Sequence, residues 1–168
     1  MDTGLYVVMG VSGSGKSRIG RLLADALGLE FVEGDAYHSP QNVARMSAGV
    51  PLSDGDREAW LSAIRTRLDE ARRAGAGLVV SCSALKRRYR EMLRGGTTDV
   101  QFVYLEGTRA LIEQRLAGRR GHFMPPSLLD SQFAILEPPD PDEQAWACDI
   151  AEPPDTIVAH LVARSRAR

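Results

Sequence analysis

Eight consecutive residues near the start of the chain have the types and the spacing that hold a chain of phosphates. They read GVSGSGKS and match the pattern G-x-x-x-x-G-K-[ST]. Glycines in such a loop let the backbone turn tightly and direct its N–H groups toward an anion at a helix N-terminus. Lys16 is then placed to reach the β- and γ-phosphates, and the Ser17 hydroxyl to bind Mg²⁺. We therefore predict a nucleoside triphosphate site formed by Gly10, Val11, Ser12, Gly13, Ser14, Gly15, Lys16 and Ser17.

The flanks of this loop favour a phosphate site over a plain glycine-rich turn. The apolar run Leu5–Met9 predicts a buried strand before it, and the helical spacing of apolar residues from Ile19 to Leu27 predicts a helix after it. Further strands are predicted at 31–32, 78–80, 102–105 and 145–150, with helical periodicity between them. This alternation predicts an α/β fold with a mainly parallel sheet, in one domain over residues 1–168.

The overall composition narrows the class of protein. The 168 residues carry a formal net charge of −1, which indicates neither nucleic acid nor a membrane surface as a partner. No apolar run approaches the roughly 20 residues of a membrane span, and the N-terminus has no signal-peptide pattern. Two cysteines, Cys82 and Cys148, indicate buried free thiols in a reducing compartment. We therefore expect a cytoplasmic protein.

Three classes of nucleotide-binding protein compete for this loop: a GTPase switch, an AAA-type ATPase and a small-molecule kinase. The chain has a single asparagine, Asn42, in NVAR, so the guanine-reading motif N-K-x-D is absent. Large ATPases usually carry a strand that ends in Asp-Glu, whereas the predicted third strand ends VVSCSAL, with no acid. A small-molecule kinase remains, and it needs an acceptor site and a carboxylate of its own.

Two carboxylates follow the second predicted strand, where a doubly wound sheet lines its ligand crevice. We assign Glu33 to support Mg²⁺ through water, and Asp35 to orient and deprotonate an acceptor hydroxyl. The alternative is that both are loop carboxylates that cap the next helix.

Two further segments are dense in polar residues. A long one, about residues 35–60, predicts a flap that binds the acceptor, and it contains His38, Arg45 and Arg57. The other, SCSALKRRYR, follows a strand end and contains Ser83, Lys86 and Arg90, a placement that favours an anionic ligand. The alternatives are a surface or satisfied His38, a helix cap made by Asp54 or Asp56, and a solvated basic helix face.

Arginines flanked by glycines, in RLAGRRGHFMPP, predict a lid at about residues 115–135. Arg119, with Arg120 beside it, would close over the phosphates and stabilise charge in the transition state. The alternative is a solvated helix end that the helix dipole favours.

Five blocks of sequence lie on both sides of the predicted crevice. They read MGVSGSGKS, EGDAYHSPQNVARMSAGVPLSDGDREAWL, CSALKRRYREMLR, YLEG and RRGHFMPPSLLDSQFAILEPP, and span roughly Val8 to Pro139. Together they closely resemble the gluconokinase family. More distantly, the arrangement resembles the shikimate kinases, P-loop kinases with a five-stranded parallel sheet flanked by helices, a lid and an acceptor-binding region.

The resemblance implies ATP- and Mg²⁺-dependent phosphorylation of D-gluconate on its 6-hydroxyl, in gluconate catabolism, by a homodimer in the cytoplasm. Another kinase of the shikimate kinase-like group is the alternative. The gluconate carboxylate needs a cation, for which Arg45, Arg57, Lys86 and Arg90 stay unranked. Candidates to read the intermediate hydroxyls are His38, Ser83, His122 and Gln132. Lys16 and Arg119 would neutralise charge as the phosphoryl group moves, and related kinases place the adenine near residues 151–154.

Overall fold

The elements alternate between strands and helices along residues 2–118 and 126–168, which are the residues that the structure, a computed structural model, describes. The strands are β1 (Leu5–Met9), β2 (Glu30–Glu33), β3 (Leu78–Ser81), β4 (Val100–Glu106) and β5 (Trp146–Asp149). The helices are α1 (Lys16–Leu27), α2 (Pro40–Ser47), α3 (Asp54–Ala74), α4 (Arg87–Arg94), α5 (Arg109–Ala117), α6 (Pro126–Ile135) and α7 (Pro154–Arg166).

The five strands form one parallel sheet in the order β2-β3-β1-β4-β5. Val7 of the central strand β1 lies opposite Val80 of β3 and Phe102 of β4. The predicted α/β fold with a five-stranded parallel sheet flanked by helices is confirmed. The second strand is longer than predicted, because Glu30 and Glu33 extend it, and the fifth is shorter, at Trp146–Asp149.

Alternate side chains of β1 enter two separate apolar clusters. Val7 and Met9 pack with residues of α3 such as Ile64, whereas Tyr6 and Val8 pack on the opposite face with α1 and α7. Burial on both faces explains why β1 is a continuous apolar run rather than an alternating one. The strand thereby holds the start of the phosphate loop rigidly at the carboxyl edge of the sheet.

The segment between β2 and α3 contains a helix that the sequence analysis missed. It begins with a 3₁₀ turn over Gly34–Tyr37 and continues as α2, whose N-cap Ser39 accepts a hydrogen bond from the backbone N–H of Asn42 at 3.1 Å. The next helix, α3, begins well before Trp60, and Ser53 and Asp56 form a capping box at its start. The capping alternative considered for Asp56 is therefore confirmed.

Arg90 is a structural residue and not a ligand for substrate. It is 0% exposed, and its Nε lies 2.7 Å from Oε1 of Glu143. Its other nitrogens donate to the carbonyl oxygens of Ala84 at 2.9 Å and Glu137 at 3.0 Å. Burial raises the pKa of Glu143, but hydrogen bonds from Arg90, from a backbone N–H and from Arg94 outweigh it and lower the pKa to about 2. The prediction that Arg90 contacts substrate is wrong, because this ion pair joins α4 to the loop before β5.

Both cysteines are free thiols, as predicted, and Cys82 is buried while Cys148 is partly exposed. Burial raises the pKa of Cys82 to about 12, so the thiol stays protonated. Along residues 2–118 and 126–168, no helix is both long enough and apolar enough to cross a membrane.

Replacing Arg90 with methionine is expected to lower the free energy of unfolding by about 3 kcal/mol, because two carbonyls lose their side-chain donor and the buried Glu143 carboxylate loses one of its three donors. Urea unfolding followed by circular dichroism measures this change. Arg88→Met on the same helix is the control, because the Arg88 side chain is 64% exposed, and its effect is expected to stay within about 0.5 kcal/mol. A loss below about 1 kcal/mol for Arg90→Met would contradict the structural role.

Candidate active site

The phosphate loop turns through glycines at positions that disfavour any side chain. Gly13 and Gly15 have φ angles of 82° and 96°, and Gly15 is the N-cap of α1. A Cβ at Gly13 would lie 2.8 Å from Cγ of Leu116. Ser14 Oγ is buried and has no hydrogen-bond partner among the described residues. A glycine-rich loop that ends at the N-terminus of a helix fits a phosphate group.

Two side chains form hydrogen bonds with the backbone of the phosphate loop. Lys16 Nζ donates a hydrogen bond to the carbonyl oxygen of Val11 at 3.0 Å. The backbone N–H of Ser12 donates to Oε1 of Gln132 at 2.6 Å, which joins α6 to the loop. Gln132, predicted as a reader of acceptor hydroxyls, therefore contacts the phosphate loop as well.

The predicted magnesium residues lie together at the end of β2. The Ser17 hydroxyl donates to Oε2 of Glu33 at 2.5 Å, and the Ser81 hydroxyl donates to Oε1 at 2.6 Å. In the described part of the chain, no three His, Cys, Asp or Glu side chains group closely enough to hold a metal ion. The Ser17 hydroxyl beside the single carboxylate of Glu33 fits an ion such as Mg²⁺, which takes few ligands from the protein and the rest from phosphates and water. Ser81, at the end of β3, was missed because its sequence position shows only a strand end.

An acceptor cavity of about 50 Å³ lies next to the phosphate loop. We use this name for the space lined by the predicted residues Lys16, Asp35, His38, Arg57, Ser83 and Gln132, together with Ser12, Met46, Leu52, Trp60 and Leu85. The structure thus brings the loop lysine, the predicted base and four further predicted acceptor ligands to one place.

Other candidates lie elsewhere. Arg45 forms an ion pair with Asp56, and Lys86 Nζ lies 3.0 Å from Oδ1 of Asp54. Neither cation lines the acceptor cavity, so their predicted contact with substrate is not supported by the geometry. Arg119, Arg120 and His122 lie outside the described residues.

His38 and Trp60 form a stacked pair in the wall of the acceptor cavity. Their ring centroids are 4.0 Å apart with an interplanar angle of 18°. The indole N–H of Trp60 donates to the carbonyl oxygen of Gly34 at 2.8 Å, which fixes the ring against the end of β2. The apolar periodicity of the sequence marks Trp60 only as a residue of a helix. A buried indole needs an acceptor for its N–H, and this requirement could have indicated from the sequence that Trp60 contacts a polar group.

The environment keeps His38 neutral. Burial lowers the pKa of His38 to about 4; the nearby Asp35 carboxylate opposes this shift and the Arg57 guanidinium adds to it. Nδ1 of His38 is buried and has no hydrogen-bond partner among the described residues. The ring is therefore an uncharged group with one unsatisfied nitrogen beside the acceptor cavity.

Arg57 differs from the other candidate cations. Its Nη1 donates to the carbonyl oxygen of Leu52 at 2.7 Å and to the Tyr89 hydroxyl at 3.0 Å. No carboxylate among residues 2–118 and 126–168 forms an ion pair with it, whereas Arg45, Lys86 and Arg90 each have one. Arg57 is thus the candidate whose charge is directed at the cavity without an acidic partner from the described chain.

A second cavity, of about 550 Å³, lies on the other side of the phosphate loop. Its walls include Gly13 and Arg18 on one side and Glu152 and Pro154 on the other. This position is next to the segment near residues 151–154 where the adenine is expected.

A phosphate loop at the end of the central parallel strand, facing a cavity that holds a carboxylate and a cation, defines a P-loop phosphotransferase. A family model described as an AAA domain matches residues 5–139. The gluconokinase of Gluconobacter oxydans is 47% identical over 156 residues, which cover 93% of this chain and 88% of the relative. The chain belongs to the gluconokinase family.

Two solved structures agree with this assignment. The crystal structure of a gluconokinase from Sinorhizobium meliloti 1021 has a TM-score of 0.88 at 46% identity, covering 98% of this chain and 93% of its own. An unliganded sugar kinase from Janibacter sp. HTCC2649 has a TM-score of 0.92, also at 46% identity, covering 96% of this chain and 94% of its own.

The His38 ring is expected to titrate with a pKa of about 4 in the nucleotide-free protein. Between that value and its ordinary 6.5 the unfolded chain takes up a proton that the folded protein does not, so stability rises with pH across this window. An NMR titration of the histidine ring protons measures the pKa, and His38→Gln assigns the signal among the three histidines. A midpoint near 6.5 would contradict the burial of the ring.

Proposed function

We propose that the protein transfers the terminal phosphoryl group of ATP to the 6-hydroxyl of D-gluconate, giving 6-phospho-D-gluconate and ADP. The observation that carries this proposal is the single cavity lined by Lys16, Asp35 and Arg57. This lining supports the proposal, because it combines a lysine of the phosphate loop, a carboxylate that can serve as general base and a cation that has no acidic partner among the described residues. Relatives at 40–47% identity are gluconokinases, which favours gluconate over an acceptor of the shikimate kinase-like group.

On the donor side, the backbone of residues 10–17 binds the phosphates, and Lys16 turns from Val11 toward them. Ser17 and Glu33 are the groups that would hold Mg²⁺, Ser17 directly and Glu33 through water. Bound Mg²⁺ neutralises phosphate charge and so supplies electrostatic stabilisation. Phosphoryl transfer needs little covalent chemistry from the protein, so position and electrostatics determine the rate.

On the acceptor side, Asp35 orients the 6-hydroxyl and takes its proton. Arg57 binds the carboxylate at the other end of gluconate, because the remaining candidate cations are paired with acids of the chain. His38, Ser83 and Gln132 read the hydroxyls between these ends. The neutral His38 suits this role, because it forms hydrogen bonds with hydroxyls without adding charge.

The acceptor cavity has room for only a few water molecules, so a six-carbon acid enters when the flap moves. Of the predicted flap over about residues 35–60, the part proposed to move is α2 with residues 48–53, which contributes Met46 and Leu52 to the wall, and we call this part the flap. The lid over about residues 115–135, with Arg119, Arg120 and His122, stays part of the proposal, as do a homodimer and a cytoplasmic location.

D-Gluconate is expected to stimulate ADP release at least about 100-fold more than shikimate, glycerate or D-glucose, because the cavity offers a cation for a carboxylate together with several hydroxyl partners. Glucose lacks the carboxylate, glycerate is too short to reach from the cation to the phosphate loop, and shikimate carries its hydroxyls on a rigid ring. A coupled assay for ADP measures this, with Lys16→Ala as the blank. Turnover with another acceptor but not gluconate would contradict the substrate and keep the kinase class. ATP-dependent binding of a macromolecule, with no acceptor turned over, would contradict the kinase class.

Asp35→Asn is expected to lower kcat about 100-fold or more while changing the KM for ATP less than about 3-fold, because an amide cannot take the hydroxyl proton. Steady-state kinetics over both substrates separate these effects. Asp25→Asn is the control, because Asp25 is an exposed residue of α1. A variant at residue 35 that weakens ATP binding more than it slows turnover would give Asp35 a structural role.

A further inference from the structure

The hydroxyl of Tyr89 lies between an acid and the cation of the acceptor cavity. It donates a hydrogen bond to Oδ1 of Asp54 and accepts one from Nη1 of Arg57 at 3.0 Å. Tyr89 belongs to α4 and is 2% exposed, whereas the Asp54 side chain that accepts its hydrogen bond is 37% exposed. The guanidinium carbon of Arg57 also lies 5.5 Å from the centroid of the tyrosine ring.

The acid that accepts the hydrogen bond from the tyrosine hydroxyl is itself held in place. Asp54 accepts hydrogen bonds from Lys86 at 3.0 Å and from Arg88 at 3.0 Å, both from the segment that carries Tyr89. These contacts, with that from Tyr89, keep the pKa of Asp54 below its ordinary value. Burial and the hydrogen bond to Asp54 raise the pKa of Tyr89, so the phenol stays protonated. A protonated phenol that donates to Asp54 presents its lone pairs to Arg57.

The same contacts set the place of Arg57 in the cavity. Arg57 has only two hydrogen-bond acceptors in the described residues, the carbonyl oxygen of Leu52 and the hydroxyl of Tyr89, and both meet Nη1. Leu52 belongs to the flap, which moves when an acceptor enters under the proposed function. Tyr89 belongs to α4, which packs in the core beneath the sheet and does not depend on the flap.

We propose that Tyr89 is a positioning residue: its hydroxyl holds the Arg57 guanidinium in the acceptor cavity and thereby sets the affinity for the carboxylate end of the acceptor. The inference rests on the proposed function, because it requires Arg57 to bind that carboxylate. The tyrosine hydroxyl is in turn oriented by Asp54, which Lys86 and Arg88 hold in place, so these three residues act on the acceptor site indirectly. Lys86, predicted as a substrate ligand, thereby serves the acceptor site without touching it.

A double-mutant cycle tests the inference with the full-length protein. The variants are Tyr89→Phe, Arg57→Gln and the two combined, and the quantities are kcat and kcat/KM for D-gluconate and the KM for ATP. Tyr6→Phe is the matched control. Tyr6 is also buried, donates its hydroxyl to Asp2 at 3.0 Å and lies under the guanidinium of Arg168, but at the opposite edge of the sheet. Thermal unfolding of each variant reports on the fold.

Tyr89→Phe is expected to lower kcat/KM for gluconate about 10-fold, mostly through KM, with the KM for ATP changed less than about 2-fold. In the Arg57→Gln background the same change is expected to have an effect below about 2-fold, because the hydroxyl acts through the missing guanidinium. Tyr6→Phe is expected to leave all three kinetic constants within about 2-fold of the unmodified protein.

Three results would overturn the inference. An effect of Tyr89→Phe below about 2-fold, or an equal loss in both backgrounds, would leave Tyr89 with no role through Arg57. An unchanged kcat/KM for gluconate in the Arg57→Gln variant would show that Arg57 does not bind the carboxylate. Tyr89 would then have no role through Arg57. Absence of gluconate turnover by the unmodified protein is a separate result, which contradicts the proposed function itself.

Discussion

The end of β2 can pass against the end of β3 only because residue 34 is glycine. A Cβ at Gly34 would lie 2.0 Å from the carbonyl oxygen of Ser81, a distance that no side chain tolerates. The glycine N–H donates to the Ser81 hydroxyl at 3.3 Å, and its carbonyl oxygen accepts from Trp60. This close contact separates the two acids that flank it. Glu33 completes β2 and meets the phosphate loop, whereas Asp35 lies in the 3₁₀ turn that follows and lines the acceptor cavity.

Pairing of charges within the chain does as much as the backbone to define the acceptor cavity. Four basic residues are candidates to bind the carboxylate of an acceptor, and the chain pairs three of them, Arg45, Lys86 and Arg90, with its own acids. Surface pairs such as that of Lys86 with Asp54 add little stability, but they remove competing sites for an anion. A guanidinium held only by neutral oxygens keeps its full charge for a ligand. The contrast between Arg57 and its paired neighbours therefore favours one orientation of a substrate that carries a single carboxylate.

Local patterns of the sequence were sufficient for the fold and for the groups fixed to strand ends, such as Asp35. They were not sufficient for groups whose role depends on a distant partner. Arg90 has the same sequence context as a ligand at a strand end, but Glu143, which lies far along the chain, accepts its hydrogen bonds and buries it. Trp60 and Tyr89 were missed for the related reason that apolar periodicity records the burial of a ring and not the contact of its N–H or O–H. Tertiary pairing of polar atoms is the part of the site that a single sequence does not encode locally.

The donor and acceptor halves of the site differ in how firmly they are held. The phosphate loop follows β1, whose side chains are buried in the large apolar clusters on both faces of the sheet. The flap meets α6 through a small cluster of Met46, Leu52 and Leu128, so its displacement exposes little apolar surface and leaves the main core intact. Gln132 of the same helix α6 accepts from the N–H of Ser12, so one helix contacts both the flap and the phosphate loop. Under the proposed function, an acceptor that enters beneath the flap therefore meets a donor loop that is already in place. The free-energy cost of admitting the acceptor comes from displacing the flap, which is the least buried part of the site.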